Sequence, residues 1–181
     1  MIQFDSLALI PLLPLIGAFV LGVFGRKMDK ELVTLTALAT VFGSYLITCV
    51  GTYTLFKQDV PLQAFAWEWM SVGRYTIDLT FGLDQLSAML MLVVTGVGFL
   101  IHLYSTGYME EDPAYWRFMT YLSLFMASML VLVLASNLPL MFVGWEGVGL
   151  CSYLLIGFWY TSEDYAKAGR KAFVVNRIGD F

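Results

Sequence analysis

A carboxylate, Glu146, stands near the middle of residues 138–160, LPLMFVGWEGVGLCSYLLIGFWY, a run with no other charged side chain. The run is long enough to cross a hydrocarbon core of about 30 Å as a helix. An ionisable group at that depth costs on the order of 2.5–3.5 kcal/mol on insertion scales; such groups face protein or water, take a partner and mark routes for ions or protons. On a helix Glu146, Gly149, Leu150 and Tyr153 share one face. Gly144, Gly147 and Gly149 surround the carboxylate, and Cys151 and Ser152 follow it. Residues this small permit close helix approach or leave room for water. The chemistry these types support is proton relay; the plainer alternative is an ion pair that only holds helices together.

Asp180 is a second carboxylate of this kind, fifteen residues after Tyr165, where a further helix starts. Asn176 and Arg177 precede it by four and three, so the three can form one stripe. Asp180 reads as a second relay site or a tuning charge, against a local Arg177–Asp180 pair that neutralises itself. Arg177 keeps its proton, so it would modulate electrostatics rather than carry protons. Lys171 is the deepest of the three bases Lys167, Arg170 and Lys171 and a further possible modulator; the bland reading of all three is anchoring at the membrane surface. His102, the lone histidine, is read as a hydrogen-bonded structural residue in preference to a proton-entry group. Asp84 is read as a cap or interface residue. Trp145 and the other aromatics are read as packing residues rather than a cofactor box. No phosphate loop, nucleophile triad or metal-ligand spacing occurs, so no cofactor or metal is expected in this chain.

These residues need helices in lipid to position them. The chain has 181 residues, 59% hydrophobic and 13% charged, with mean hydropathy +0.75; soluble domains carry about 25% charged residues. Net charge is −4 with no basic tract, which gives nucleic-acid binding no support. Only helices and closed barrels satisfy their backbones in lipid, and continuous apolar runs select helices. The expected fold is all-α and polytopic: spans at about 7–25, 32–56, 83–105, 116–135 and 138–160, and an incomplete sixth at 165–181, all within one membrane domain over 1–181. Pro11 and Pro14 fall in the first turns of span one, where proline costs least. Between spans two and three, residues 63–81 alternate polar and apolar types and carry Trp67 and Trp69 two apart, on one strand face. They read as a surface β-hairpin turning at Ser71-Val72-Gly73-Arg74, with aromatics at headgroup level. Cys49 and Cys151 lie inside apolar runs and form no disulfide framework. The first segment is read as a retained span rather than a cleaved signal, and the chain as the N-terminal piece of a longer protein.

Arg26, Lys27, Lys30, Arg117, Lys167, Arg170 and Lys171 fall on one side if the spans alternate; the other side has only Lys57 and Arg74. The positive-inside rule puts the first group in the cytoplasm and the N-terminus and hairpin outside.

The stretches MFVGWEGVGLCSYLLIGFWY (141–160), FGLDQLSAMLMLVVTGVGFLIHLYSTGYM (81–109) and KAFVVNRIGDF (171–181) closely resemble the antiporter-like chain 5 (subunit L) family of respiratory complex I, NADH:quinone oxidoreductase. The resemblance covers essentially the whole chain. It implies two inverted five-helix repeats preceded by extra helices, in a protein with many more spans than stand here. It implies that Glu146 is the key fifth-helix glutamate, normally paired with a lysine of the seventh helix that this sequence lacks, and that Asp180 is the sixth-helix aspartate near that pair. It further implies a bacterial cytoplasmic membrane in preference to a mitochondrial one. NADH, FMN, iron–sulfur clusters and quinone would reside in partner subunits. The partners would be other membrane-arm subunits, chiefly the adjacent chain 4-type subunit M, on which the hairpin would pack. Two other readings stay open. The large subunit of multi-component Na+/H+ antiporters shares WE…SYLLIGFW, and a purely structural or assembly role requires no transport.

Overall fold

The computed structural model describes residues 2–180. Six helices and one small sheet follow one another: β1 (Ile2–Gln3), α1 (Leu9–Phe24), α2 (Lys30–Gln58), β2 (Leu62–Val72), β3 (Tyr75–Leu83), α3 (Gln85–Tyr108), α4 (Tyr115–Leu134), α5 (Leu138–Ile156) and α6 (Glu163–Asp180). Five helical segments, Asp5–Lys27, Lys30–Gln58, Gln85–Tyr108, Tyr115–Leu134 and Leu138–Ile156, are long and apolar enough to cross a membrane. Each lies within a few residues of its expected span. The largest difference is at α5, which stops at Ile156 because Gly157 ends it; Phe158, Trp159 and Tyr160 then form the loop, with Phe158 buried under α4. The expected end of span six, Phe181, lies outside the described residues.

The helix ends carry their own chemistry. Asp84 caps α3: its Oδ1 accepts from Ser87 N–H at 2.7 Å, while Ser87 Oγ accepts from Asp84 N–H at 2.8 Å, a reciprocal capping box. This is the cap expected for Asp84. Asn137 caps α5, accepting from Leu140 N–H at 2.9 Å, with Pro139 in the first turn. Within α1, Pro14 has no N–H to give the Ile10 carbonyl. Ser44 of α2 fills that place, donating to Ile10 O at 2.7 Å.

The hairpin runs as expected but gains a partner and loses regularity. β1 pairs in parallel with β2, Ile2 opposite Leu62, making a three-stranded sheet in the order β1-β2-β3. The turn is the two residues Gly73 and Arg74, the second half of the expected four, with Gly73 at φ 62°, where a side chain would be strained. Register shifts between Phe65 and Trp67 and between Glu68 and Met70 interrupt the strand alternation, so the two-residue spacing of Trp67 and Trp69 no longer fixes a common face.

Two buried clusters hold the bundle. At the sheet end Leu7, Ile10, Leu62, Phe81, Leu83, Met91 and Leu134 pack together. At the other end Leu21, Val33, Met109, Tyr115, Met119 and Phe158 do so. The outer faces stay apolar, with Phe19, Leu35, Leu86 and Leu100 all exposed, as lipid-facing surfaces require. The basic end is tied by polar contacts between loops: Lys30 donates to Glu110 O, Trp159 Nε1 donates to Asp112 Oδ2 at 2.9 Å, and Arg117 donates to Phe158 O at 3.3 Å.

Candidate functional site

The site is the seam between α5 and α6. Glu146 stands eight residues after Leu138 and ten before Ile156, the two ends of α5, so it lies about 12 Å along the helix from the capped end. Two glycines on α5 let α4 approach closely. A Cβ on Gly144 would lie 2.5 Å from Leu132 N, and one on Gly147 would lie 2.5 Å from Ser128 Oγ. Gly149 has open space beside it. Glycine therefore fixes the α4 side of the site and leaves room on another.

On the α6 side, Arg177 forms an ion pair with Glu146 Oε2. The guanidinium lies 5.1 Å above the centre of the Phe173 ring, and Phe173 in turn packs on Tyr153 of α5 at 5.5 Å. Closer to the basic end, Gly169 of α6 lies against Tyr153 O and the Gly157 backbone, so α6 crosses α5 with little between them. The pair is unevenly covered: the Arg177 side chain is 51% exposed and that of Glu146 19%. Glu146 Oε1 is buried and has no hydrogen-bond partner among the described residues.

Asp180 does not pair with Arg177. Its Oδ1 accepts from Trp145 Nε1 at 2.6 Å. The structure thus brings together Glu146, Arg177 and Asp180, all expected from sequence, and adds Trp145, expected to be a packing residue. The signal was available: an indole N–H within an apolar span needs an acceptor, and Trp145 is the immediate neighbour of Glu146.

The other candidates lie elsewhere. Lys171 is exposed on α6, with no ion pair or hydrogen bond to the described residues. Lys167 pairs with Glu163 at 2.9 Å on the surface of the same helix. His102 is buried in α3, its Nδ1 donating to Gly98 O at 2.8 Å and its ring lining an apolar cleft with Val94, Leu122, Phe125 and Met129. Nδ1 is thus hydrogen-bonded within its own helix, and Nε2 has no partner among the described residues. Among those residues no group of three His, Cys, Asp or Glu side chains could hold a metal ion.

Residues 69–119 match the family described as NADH-Ubiquinone oxidoreductase (complex I), chain 5 N-terminus, and residues 135–181 match NADH:quinone oxidoreductase/Mrp antiporter, TM. The second match contains Glu146, Arg177 and Asp180. NADH-quinone oxidoreductase subunit L of Escherichia coli (strain K12) is 48% identical over 178 residues, 97% of this chain and 29% of that protein. The chain belongs to the complex I chain 5 family. It spans under a third of the length of that relative. Among solved structures, a chain of the membrane-bound sulfane sulfur reductase, an archaeal respiratory membrane complex, superposes with TM-score 0.83 at 21% identity, over 98% of this chain and 35% of that one. A chain of the Mrp complex from Dietzia sp. DQ12-45-1b superposes with TM-score 0.76 at 25% identity, over 97% of this chain and 18% of that one. The fold is therefore shared by respiratory and antiporter complexes, and the sequence stands nearer the complex I side.

Proposed function

We propose that this chain serves proton translocation, as part of the distal antiporter-like subunit of an NADH:quinone oxidoreductase in a bacterial cytoplasmic membrane. The observation that carries this reading is the Glu146–Arg177 pair with its unfilled Oε1. One carboxylate oxygen is held by a cation and the other is free to take a proton, at mid-helix in an apolar span. When Glu146 is ionised it holds Arg177. When Oε1 takes a proton, the attraction falls and Arg177 can turn to Asp180, three residues along its own helix.

Quinone reduction in other subunits would shift charge along the membrane arm and alter this pairing. The lysine of a seventh helix would be the second cation for Oε1. The subunit would pack on its chain 4-type (subunit M) neighbour through the external hairpin, with the N-terminus outside and the basic end cytoplasmic. NADH, FMN, iron–sulfur clusters and quinone would sit in partner subunits. The 48% identity to an NADH-quinone oxidoreductase subunit favours this reading over a gradient-driven Na+/H+ exchanger. The test is Glu146→Gln in the intact complex, with NADH-driven proton uptake measured in membrane vesicles. Both pumping and coupled quinone reduction are expected to fall strongly; near-normal values in a fully assembled complex would sink the proposal.

A further inference from the structure

Two neighbours on α5 each hold one of two side chains that lie three apart on α6: Trp145 takes Asp180, and Glu146 takes Arg177. The crossing is not what α6 would choose alone. An arginine and an aspartate at this spacing attract one another along a helix. If they did so here, the guanidinium would be shared between Asp180 and Glu146, and the Asp180 carboxylate between the guanidinium and the indole N–H. An indole can donate one hydrogen bond and accept none, and within lipid no water stands in for a missing partner. The ring is half exposed and stacks on no other aromatic among the described residues. Its one directed contact with α6 is the 2.6 Å bond to Asp180.

From this crossed arrangement we infer that Trp145 is a positioning residue: its N–H holds the Asp180 carboxylate away from Arg177 and so leaves the guanidinium to Glu146. The inference rests on the relay reading of Glu146 given above. It assigns the indole a role separate from filling space. It also gives a consequence to the donor's place directly beside the glutamate: each of two adjacent α5 residues takes one of the two α6 side chains.

The experiment is a double-mutant cycle in the intact complex, read as NADH-driven proton pumping per quinone reduced. Trp145→Phe keeps a ring and removes the donor. It is expected to lower pumping by about threefold or more, within the range that residues in contact show. In the Asp180→Asn background there is no acidic competitor for Arg177, so adding Trp145→Phe is expected to change nothing further, in pumping or in the melting temperature of the complex, which is read beside it because Asp180→Asn can lower pumping by itself. An equal loss in both backgrounds would mean that the ring only packs, and an unchanged Trp145→Phe complex would mean that its N–H does nothing; either overturns the inference. If Trp145→Phe does not assemble, ultraviolet resonance Raman of Asp180→Ala against the parent complex reads the same bond. One indole N–H band is expected to shift, and identical tryptophan bands overturn the assignment. Glu146→Gln measured alongside separates the two claims. Normal pumping there removes the relay reading itself, whereas loss there together with a silent or additive Trp145→Phe removes only the role of Trp145.

Discussion

Arg177 pairs across the helix seam with Glu146 rather than along its own helix with Asp180. The pair therefore does two things at once: it neutralises a carboxylate in the middle of α5, and it fastens α6 to α5 beside the Phe173–Tyr153 contact. Removing one partner of a fully buried pair costs about 3–5 kcal/mol. Here the guanidinium is half exposed rather than fully buried, so that figure is an upper bound.

Arg177→Gln is expected to destabilise the α5–α6 seam by about 1–2 kcal/mol, well under the fully buried figure, and to lower proton pumping in the intact complex. Arg177→Lys keeps the charge but loses the planar fork and its position over Phe173, so its pumping should fall between the two. Thermal melting of the purified complex and vesicle proton uptake check the order. Equal activity of all three would show that the cation at this position is dispensable.

Gly144 and Gly149 make opposite demands although both flank Glu146. A Cβ at Gly144 would meet the Leu132 backbone at 2.5 and 2.7 Å, and backbone cannot rotate away. Gly144→Ala is expected to push α5 off α4 at a cost of about 1–3 kcal/mol, the usual range for overpacking. Gly149→Ala meets nothing within 4 Å and should be tolerated. A melting curve for each variant decides it; equal destabilisation would show that the close approach is not where the strain lies.

The spans were legible because each is a long apolar run, and a run of that length has one reading in lipid. Glu146 and Asp180 were legible because charge in such a run is rare. The pairing between them was not. Spacing along α6 points to Arg177–Asp180, and only the rotation of α6 against α5 decides otherwise. β1 was illegible for a similar reason: two residues pair in parallel with a strand sixty positions on, and nothing local marks them. The bulges in β2 carry no glycine or proline to announce them, and with them the spacing of Trp67 and Trp69 no longer fixes a common face.

Asp84 makes the start of α3 sensitive to pH. Accepting the Ser87 backbone N–H, and then its hydroxyl, holds the Asp84 carboxyl below its ordinary pKa. A depressed folded-state pKa means that the ionised cap contributes stability above the unfolded value, about 3.9, and loses it as pH falls through the folded value. The first turn of α3 should therefore open more readily in acid, while neutral pH leaves it closed. Asp84→Asn keeps a good cap and should remove the acid sensitivity; Asp84→Ala should weaken the turn at all pH values by about 1 kcal/mol. Hydrogen exchange of residues 85–90, corrected for intrinsic rate, reads both. Acid opening that persists unchanged in Asp84→Asn would place its origin in another group.

Ser44 and Pro14 form a compensating pair across α1 and α2. Proline at position 14 removes the donor that the Ile10 carbonyl would use, and Ser44 Oγ supplies one at 2.7 Å. Both groups lie inside the bundle, with Ser44 and Ile10 fully buried, where an unmet carbonyl has no water to turn to. Hydrogen bonds between membrane helices average about 0.6 kcal/mol and reach about 1.7. Because Pro14 cannot supply the usual donor to this buried carbonyl, Ser44→Ala is expected near the upper end of that range. Restoring the backbone donor should make the serine redundant. In a Pro14→Ala background the helix closes its own bond to Ile10, and Ser44→Ala should then cost little. Melting of the two single variants and the double variant gives the coupling between them. A cost for Ser44→Ala that is the same with and without Pro14 would show that the hydroxyl matters for packing and not for the carbonyl that proline leaves open.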